Sequence, residues 1–243
     1  MLTTEDYQRQ YENLEDFCKV FKDINELMNW YKYNNIIWPH NDDKEYNERY
    51  MSWADDILKY KTGNCFDHAM FVYCFCKKND IPCKVYRISI FAEPVFFVDD
   101  DNRYKSYDHI VASAKFLDKW YVFDYVEDPF SNLFGPSSNL HDLMEDYKNR
   151  YTNGMISFIK ENHDPYFYRF ISESYMTELS DKDLEYIISL YNDHYLTQKE
   201  ISQHCSSYKL LLDTRIMQRT LLESISYKLS FHIKNFIISI FHL

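Results

Sequence analysis

A cysteine at 65, a histidine at 109 and an aspartate at 124 are residue types that together make an activated thiol. A neutral thiol attacks a carbonyl poorly, whereas its thiolate attacks well. An imidazole beside the sulfur takes up and returns the proton, and a carboxylate fixes the imidazole in the useful tautomer. The local sequence around Cys65 favours the anion. Gly63-Asn64-Cys65-Phe66-Asp67-His68 leads into an apolar run of Ala69, Met70, Phe71, Val72, Tyr73, Phe75 and Cys76. This pattern puts Cys65 in the first turn of a buried helix. Unsatisfied backbone N–H groups and the helix dipole there favour a negative sulfur and could receive the oxyanion of an acyl-transfer step.

The other two residues must be brought to that helix end by a β-hairpin. Residues 109–116 and 119–125 read as strands joined by a tight turn at Leu117-Asp118. With the turn centred there, Val111 faces Asp124 and His109 faces Val126. His109 and Asp124 then become diagonal neighbours on one sheet face, roughly 7–8 Å apart at the backbone. A slip of one residue would separate them onto opposite faces.

The remaining chain supplies the frame. Spacings of three and four over residues 5–31 predict one or two amphipathic helices. Residues 33–46 are turn-rich, with a break before Pro39. A short helix follows from about Glu48 to Tyr60 and is stopped by Lys61-Thr62-Gly63, Gly63 being its expected C-terminal punctuation. The Cys65 helix runs to Lys77 or Lys78 and ends at Asn79-Asp80. Alternation predicts strands at Cys83–Ile90 and Val95–Val98, the latter closed by Asp99-Asp100-Asp101-Asn102. Glu127 to Pro136 reads as a loop, Leu140–Tyr151 and Ser180–Tyr191 as helices, the second capped by Ser180. Residues 197–243 read as a long helical region, either packed on the core or serving as a partner surface.

Composition narrows the classes further. The 243 residues carry 23 tyrosines and 18 phenylalanines, which predicts a core of rings whose hydroxyls need partners. With 27 basic against 38 acidic residues the formal charge is −11, a poor match to a phosphate backbone, so no nucleic acid is expected. The N-terminus lacks a signal-peptide pattern and the longest apolar stretch, 236–243, is too short to span a membrane. Six cysteines without a framework spacing fit reduced thiols and a cytoplasmic location.

Four segments carry a resemblance to a known family. Gly63-Asn64-Cys65-Phe66-Asp67-His68-Ala69, Asp80-Ile81-Pro82-Cys83-Lys84-Val85-Tyr86-Arg87, Asp108-His109-Ile110-Val111 and Lys119-Trp120-Tyr121-Val122-Phe123-Asp124 resemble the transglutaminase-like superfamily of papain-type folds. The resemblance covers about residues 50–128, with Trp53 where such sequences often carry an aromatic ring. Two features depart from the pattern: no tryptophan follows His109, and Asn79-Asp80 replaces a glycine before Ile81-Pro82. The resemblance implies an α+β fold in which the nucleophile helix packs on an antiparallel sheet, with extra N- and C-terminal helices. It implies Cys65 as nucleophile, His109 as base and Asp124 as orienter.

The expected organisation is a catalytic core with N-terminal helices over 1–135 and a mainly helical extension over 136–243. The expected function is acyl transfer on amide bonds of a protein or peptide, with Asn64 and Trp53 as candidate oxyanion or substrate-binding helpers. No metal or organic cofactor is required by that chemistry. The alternatives are a binding module that keeps the fold without turnover, its C-terminal helices offering a partner surface, and an acyl-carrier-dependent N-acyltransferase. Other clusters read as structural. Cys74 and Cys76 are two apart on a helix and diverge, unlike a zinc knuckle with Cys83; His68 reads as a helix-surface histidine; and Asp99-Asp100-Asp101 reads as a solvated turn.

Overall fold

The computed structural model describes residues 2–36, 54–61, 63–94, 105–124, 132–162 and 168–191. The N-terminal region forms three helices rather than one or two: α1 (Thr4–Gln8), α2 (Leu14–Val20) and α3 (Ile24–Asn34). Each starts where a short polar side chain accepts a backbone N–H of its own first turn: Thr3 from Asp6, Asn13 from Asp16, Asp23 from Glu26. Those caps divide an apolar pattern that otherwise reads as continuous.

Helix α4 (Ala54–Tyr60) is followed closely by α5 (Cys65–Lys78). The positive φ at the end of α4 falls on Lys61 (57°), not on Gly63 as expected, and the Lys61 N–H returns to Ile57 O. Gly63 has another reason. A Cβ there would stand 3.0 Å from Asp67 Cβ and 3.3 Å from Ile57 Cδ1, so glycine permits the two helices to meet tightly. Helix α5 ends as expected at Asn79-Asp80, with Asp80 at φ 55°.

Five strands form one antiparallel sheet: β1 (Cys83–Pro94), β2 (Lys105–Phe116), β3 (Lys119–Asp124), β4 (Asn132–Ser137) and β5 (Tyr168–Glu178). Their order is β4-β3-β2-β1-β5. The β2–β3 register runs from Phe116↔Lys119 to Ala112↔Phe123, with Leu117 and Asp118 both at positive φ (48° and 59°). This is the predicted two-residue turn and the predicted register. The expected loop over Glu127–Pro136 is corrected in its second half, where β4 pairs with β3 along the sheet edge. The edge position explains how Pro136 is tolerated, since it gives up no ladder hydrogen bond on its free side. The expected strand at 95–98, the acidic turn at 99–102, residues 197–243 and Trp53 lie outside the described residues.

Both sheet faces are covered. Helix α5 is buried continuously from Phe66 to Cys76, as a central helix must be when it is apolar all round. Its face of the sheet contributes Val85, Ile110, Ala112, Ala114 and Phe123, packed with Phe17, Phe21, Trp30, Tyr31, Phe71 and Phe75. The opposite face, with Ile88, Ile90, Val111 and Val122, is covered by α6 (Leu140–Asn162) through Leu143, Met144, Tyr147 and Tyr151. Helix α7 (Asp181–Tyr191) begins at the predicted cap, Ser180 Oγ accepting from Asp183 N at 3.2 Å. No helix among the described residues is long and apolar enough to cross a membrane.

The turn in β4 provides a stability test. Gly135 has φ +126°, and a Cβ there would lie 2.9 Å from the Trp120 carbonyl oxygen. Gly135→Ala is expected to destabilise the protein by about 1–3 kcal/mol, through strain at a conformation L-residues rarely adopt. Thermal melting of the purified variant checks this; an unchanged midpoint would mean that β4 is not held as described.

Candidate active site

The N-terminus of α5 is built by Asn64. Its Oδ1 accepts from Phe66 N at 2.9 Å and Asp67 N at 3.0 Å, while Asp67 Oδ2 accepts from Asn64 N at 2.8 Å. This capping box occupies the second and third amides of the helix. The Cys65 N–H, ahead of them, is the helix-end amide the cap leaves over, and only the Nδ2 group of Asn64 remains for a ligand. Cys65 itself is partly exposed, and Cys18, Cys74, Cys76 and Cys83 are also free thiols.

His109 and Asp124 lie just past the last β2–β3 pair, Ala112↔Phe123. Pairing of His109 with Ile88 places it on the α6 side of the sheet. Cys65 still bears on it, because it sits at the tip of α5 rather than along its body, and its sulfur favours the charged imidazole. On the other side of the ring, His109 Nε2 lies 3.0 Å from Asp124 Oδ1. Both side chains are buried, 3% and 4% exposed respectively, so solvent screens their attraction little. Burial pushes the imidazole toward neutrality, but the Asp124 charge, its hydrogen bond and Cys65 outweigh it and raise the pKa to about 10. The Nε2 atom is taken up by Asp124, which leaves Nδ1 as the ring nitrogen available for proton transfer.

Two tyrosines complete the surroundings. The Tyr147 hydroxyl donates to Asp124 Oδ2, the carboxylate oxygen His109 does not use. The Tyr151 ring lies parallel to the imidazole, 4.5 Å between centroids and 11° between planes. Neither was singled out from sequence. The signal was there in the apolar stripe Leu143, Met144, Tyr147 and Tyr151, whose two phenols must find polar partners once the stripe is buried.

His68 corrects an expectation. It is buried, not a surface residue, and its Nδ1 lies 3.1 Å from the Tyr31 hydroxyl. Burial lowers its pKa to about 4, against the opposing effects of a Gly63 backbone hydrogen bond and the Asp124 charge. Burial thus favours the neutral form of His68, whereas Asp124 favours the charged form of His109. Cys74, Cys76 and Cys83 form no metal cluster: among the described residues no group of three or more His, Cys, Asp or Glu side chains is placed to hold an ion.

A thiol on a helix end, an imidazole on the second strand and a carboxylate on the third, ordered along an antiparallel sheet, define a papain-type α+β architecture. Residues 6–125 match the family model of the transglutaminase-like superfamily, and the chain thus carries a transglutaminase-like domain over that segment. The match takes in the N-terminal helices as well as Cys65, His109 and Asp124, and ends before β4 and α6. No curated protein matches the chain.

Proposed function

We propose that the protein is a cysteine-nucleophile acyl-transfer enzyme acting on amide bonds of a protein or peptide. The observation that carries this reading is the buried His109–Asp124 pair, 3.0 Å apart, set beside the helix end that carries Cys65. His109 takes up the proton of the pair, and the thiolate is the form of Cys65 that attacks. The thiolate attacks the amide carbon, and the Cys65 N–H receives the oxyanion, with Asn64 Nδ2 as the side-chain candidate beside it. The imidazolium then gives its proton to the departing amine, the C–N bond breaks and a thioester remains. His109, now neutral, takes a proton from water, whose oxygen displaces the sulfur and restores the pair. Asp124 holds the ring through both transfers. Water is the proposed acceptor because it needs no second binding site; an amine in its place would give transamidation by the same steps.

Iodoacetamide tests this without a known substrate. At pH 7 an ordinary thiol is only a few per cent ionised, so a preformed thiolate should react about tenfold faster or more. Mass-spectrometric labelling is expected to show Cys65 modified well ahead of the other five cysteines, and His109→Ala to remove that lead. Equal, slow labelling of all six would favour a binding module on the same fold.

A further inference from the structure

Resting on that reading, we propose that Tyr147 and Tyr151 of α6 are positioning residues of the site, so that the catalytic unit extends beyond the matched segment into the C-terminal half of the chain. The two sit one helical turn apart and stack on one another, 6.4 Å between ring centroids and 17° between planes. Both are buried, and both face the sheet on the side that carries His109 and Asp124.

Their tasks are different. A buried carboxylate has more lone pairs than a single imidazole can satisfy, and an oxygen left without a donor destabilises the charge. Tyr147 supplies the second donor, on Oδ2, and so fixes the rotation of the carboxylate and with it the direction in which His109 is held. Tyr151 acts on the imidazole face. A ring lying flat on a cation stabilises it through its quadrupole, most strongly when water is excluded, and this favours the protonated imidazole over the neutral one. It also blocks the ring from swinging out of line with the thiol. The groups that bear on the charge of His109 are Asp124 from β3, Cys65 from α5, these two tyrosines from α6, and the neutral His68 through Asp124. Tyr147 stays a neutral donor, because burial and then the Asp124 charge raise its pKa well above the usual phenol value.

The test uses the full chain with Tyr147→Phe, Tyr151→Phe and Tyr151→Leu, melting curves to confirm folding, and NMR of 13C,15N-histidine-labelled protein. In the wild type, the His109 Nε2 proton is expected as a downfield, slowly exchanging resonance. Tyr147→Phe should broaden or abolish that resonance and slow iodoacetamide labelling of Cys65 by about tenfold, the worth of one hydrogen bond to a charged group. Tyr151→Leu should bring the His109 titration midpoint down by about one pH unit, and Tyr151→Phe should restore it, since the ring alone is needed. A packing role would lower melting temperatures but leave the resonance and the midpoint where they were, and that result would overturn the proposal. The imidazole signals read the tyrosines' effect in any variant that folds, whether or not Cys65 is activated. The thiol chemistry is judged separately, by His109→Ala: loss of fast labelling there with wild-type behaviour in all three tyrosine variants would leave the triad standing and remove the tyrosines.

Discussion

Asp124→Ala is expected to cost the protein both its reactive thiol and about 3–5 kcal/mol of stability, the range for breaking a buried ion pair by removing one partner. Asp124 accepts from His109 and Tyr147 at once, and both donors are left facing an apolar void. The imidazole is then governed by burial, gives up its proton, and stops supporting the thiolate. Iodoacetamide labelling of Cys65 at pH 7 should slow by at least about tenfold, toward the rate of an ordinary thiol. Asp124→Asn, which keeps the shape, should lose the reactivity with a smaller loss of stability. The pH dependence has a definite sign. In the wild type the folded-state pKa of His109 is raised from 6.5 to about 10, so its contribution is complete below 6.5 and is lost as pH climbs through about 10. The stability gap between wild type and Asp124→Ala should therefore narrow as pH rises across that window. Chemical denaturation at several pH values measures it; a gap independent of pH would mean that the His109 charge is not involved.

Phe71→Ala should be the most damaging change away from the site, about 3–5 kcal/mol. Phe71 is fully buried on α5 and meets Phe17 at 5.7 Å, Trp30 at 6.0 Å and Tyr31 at 5.9 Å between centroids. These rings tie α2 and α3 to the helix that carries Cys65. Tyr31 continues the chain of contacts, to Phe123 at 5.0 Å and to His68. A cavity at Phe71 cannot collapse easily between three rigid rings, so the upper part of the range is expected. Urea unfolding with an unchanged m-value would report it, and a loss below about 1 kcal/mol would mean that the ring cluster does not anchor α5.

What the sequence made legible was whatever local chemistry determines alone. The start of α5 at Cys65 follows from Asn64 and Asp67 as a capping pair, and the hairpin register follows from a two-residue turn at Leu117-Asp118. The end of α5 and the Ser180 cap are of the same kind. What it obscured were features settled by neighbours far along the chain. Asn132–Ser137 contains Gly135-Pro136 and looks like a loop by composition; it becomes a strand because the β3 edge is free to accept it. β5 lies outside the strands expected from sequence and is recruited by the free edge of β1. Helix α6 runs on past Tyr151, its expected end, through Asn153-Gly154 to Asn162. A histidine one turn into α5 reads as a surface residue by its type alone, yet Tyr31 of α3 packs against it and it is buried. The triad spacing pointed to three side chains, whereas Tyr147 and Tyr151 depend on how α6 crosses the sheet, which no local pattern encodes.

His109 is expected to be a cation at neutral pH, held so by Asp124 and Cys65. The most direct measurement is an NMR titration of the labelled imidazoles in the wild-type protein. His109 is expected to be protonated at pH 7–8 and to lose its proton near 10, while His68 in the same spectra stays neutral above pH 6. A His109 signal that titrates at or below 6.5 would contradict it, and with it the anionic sulfur on which the proposed acyl transfer depends.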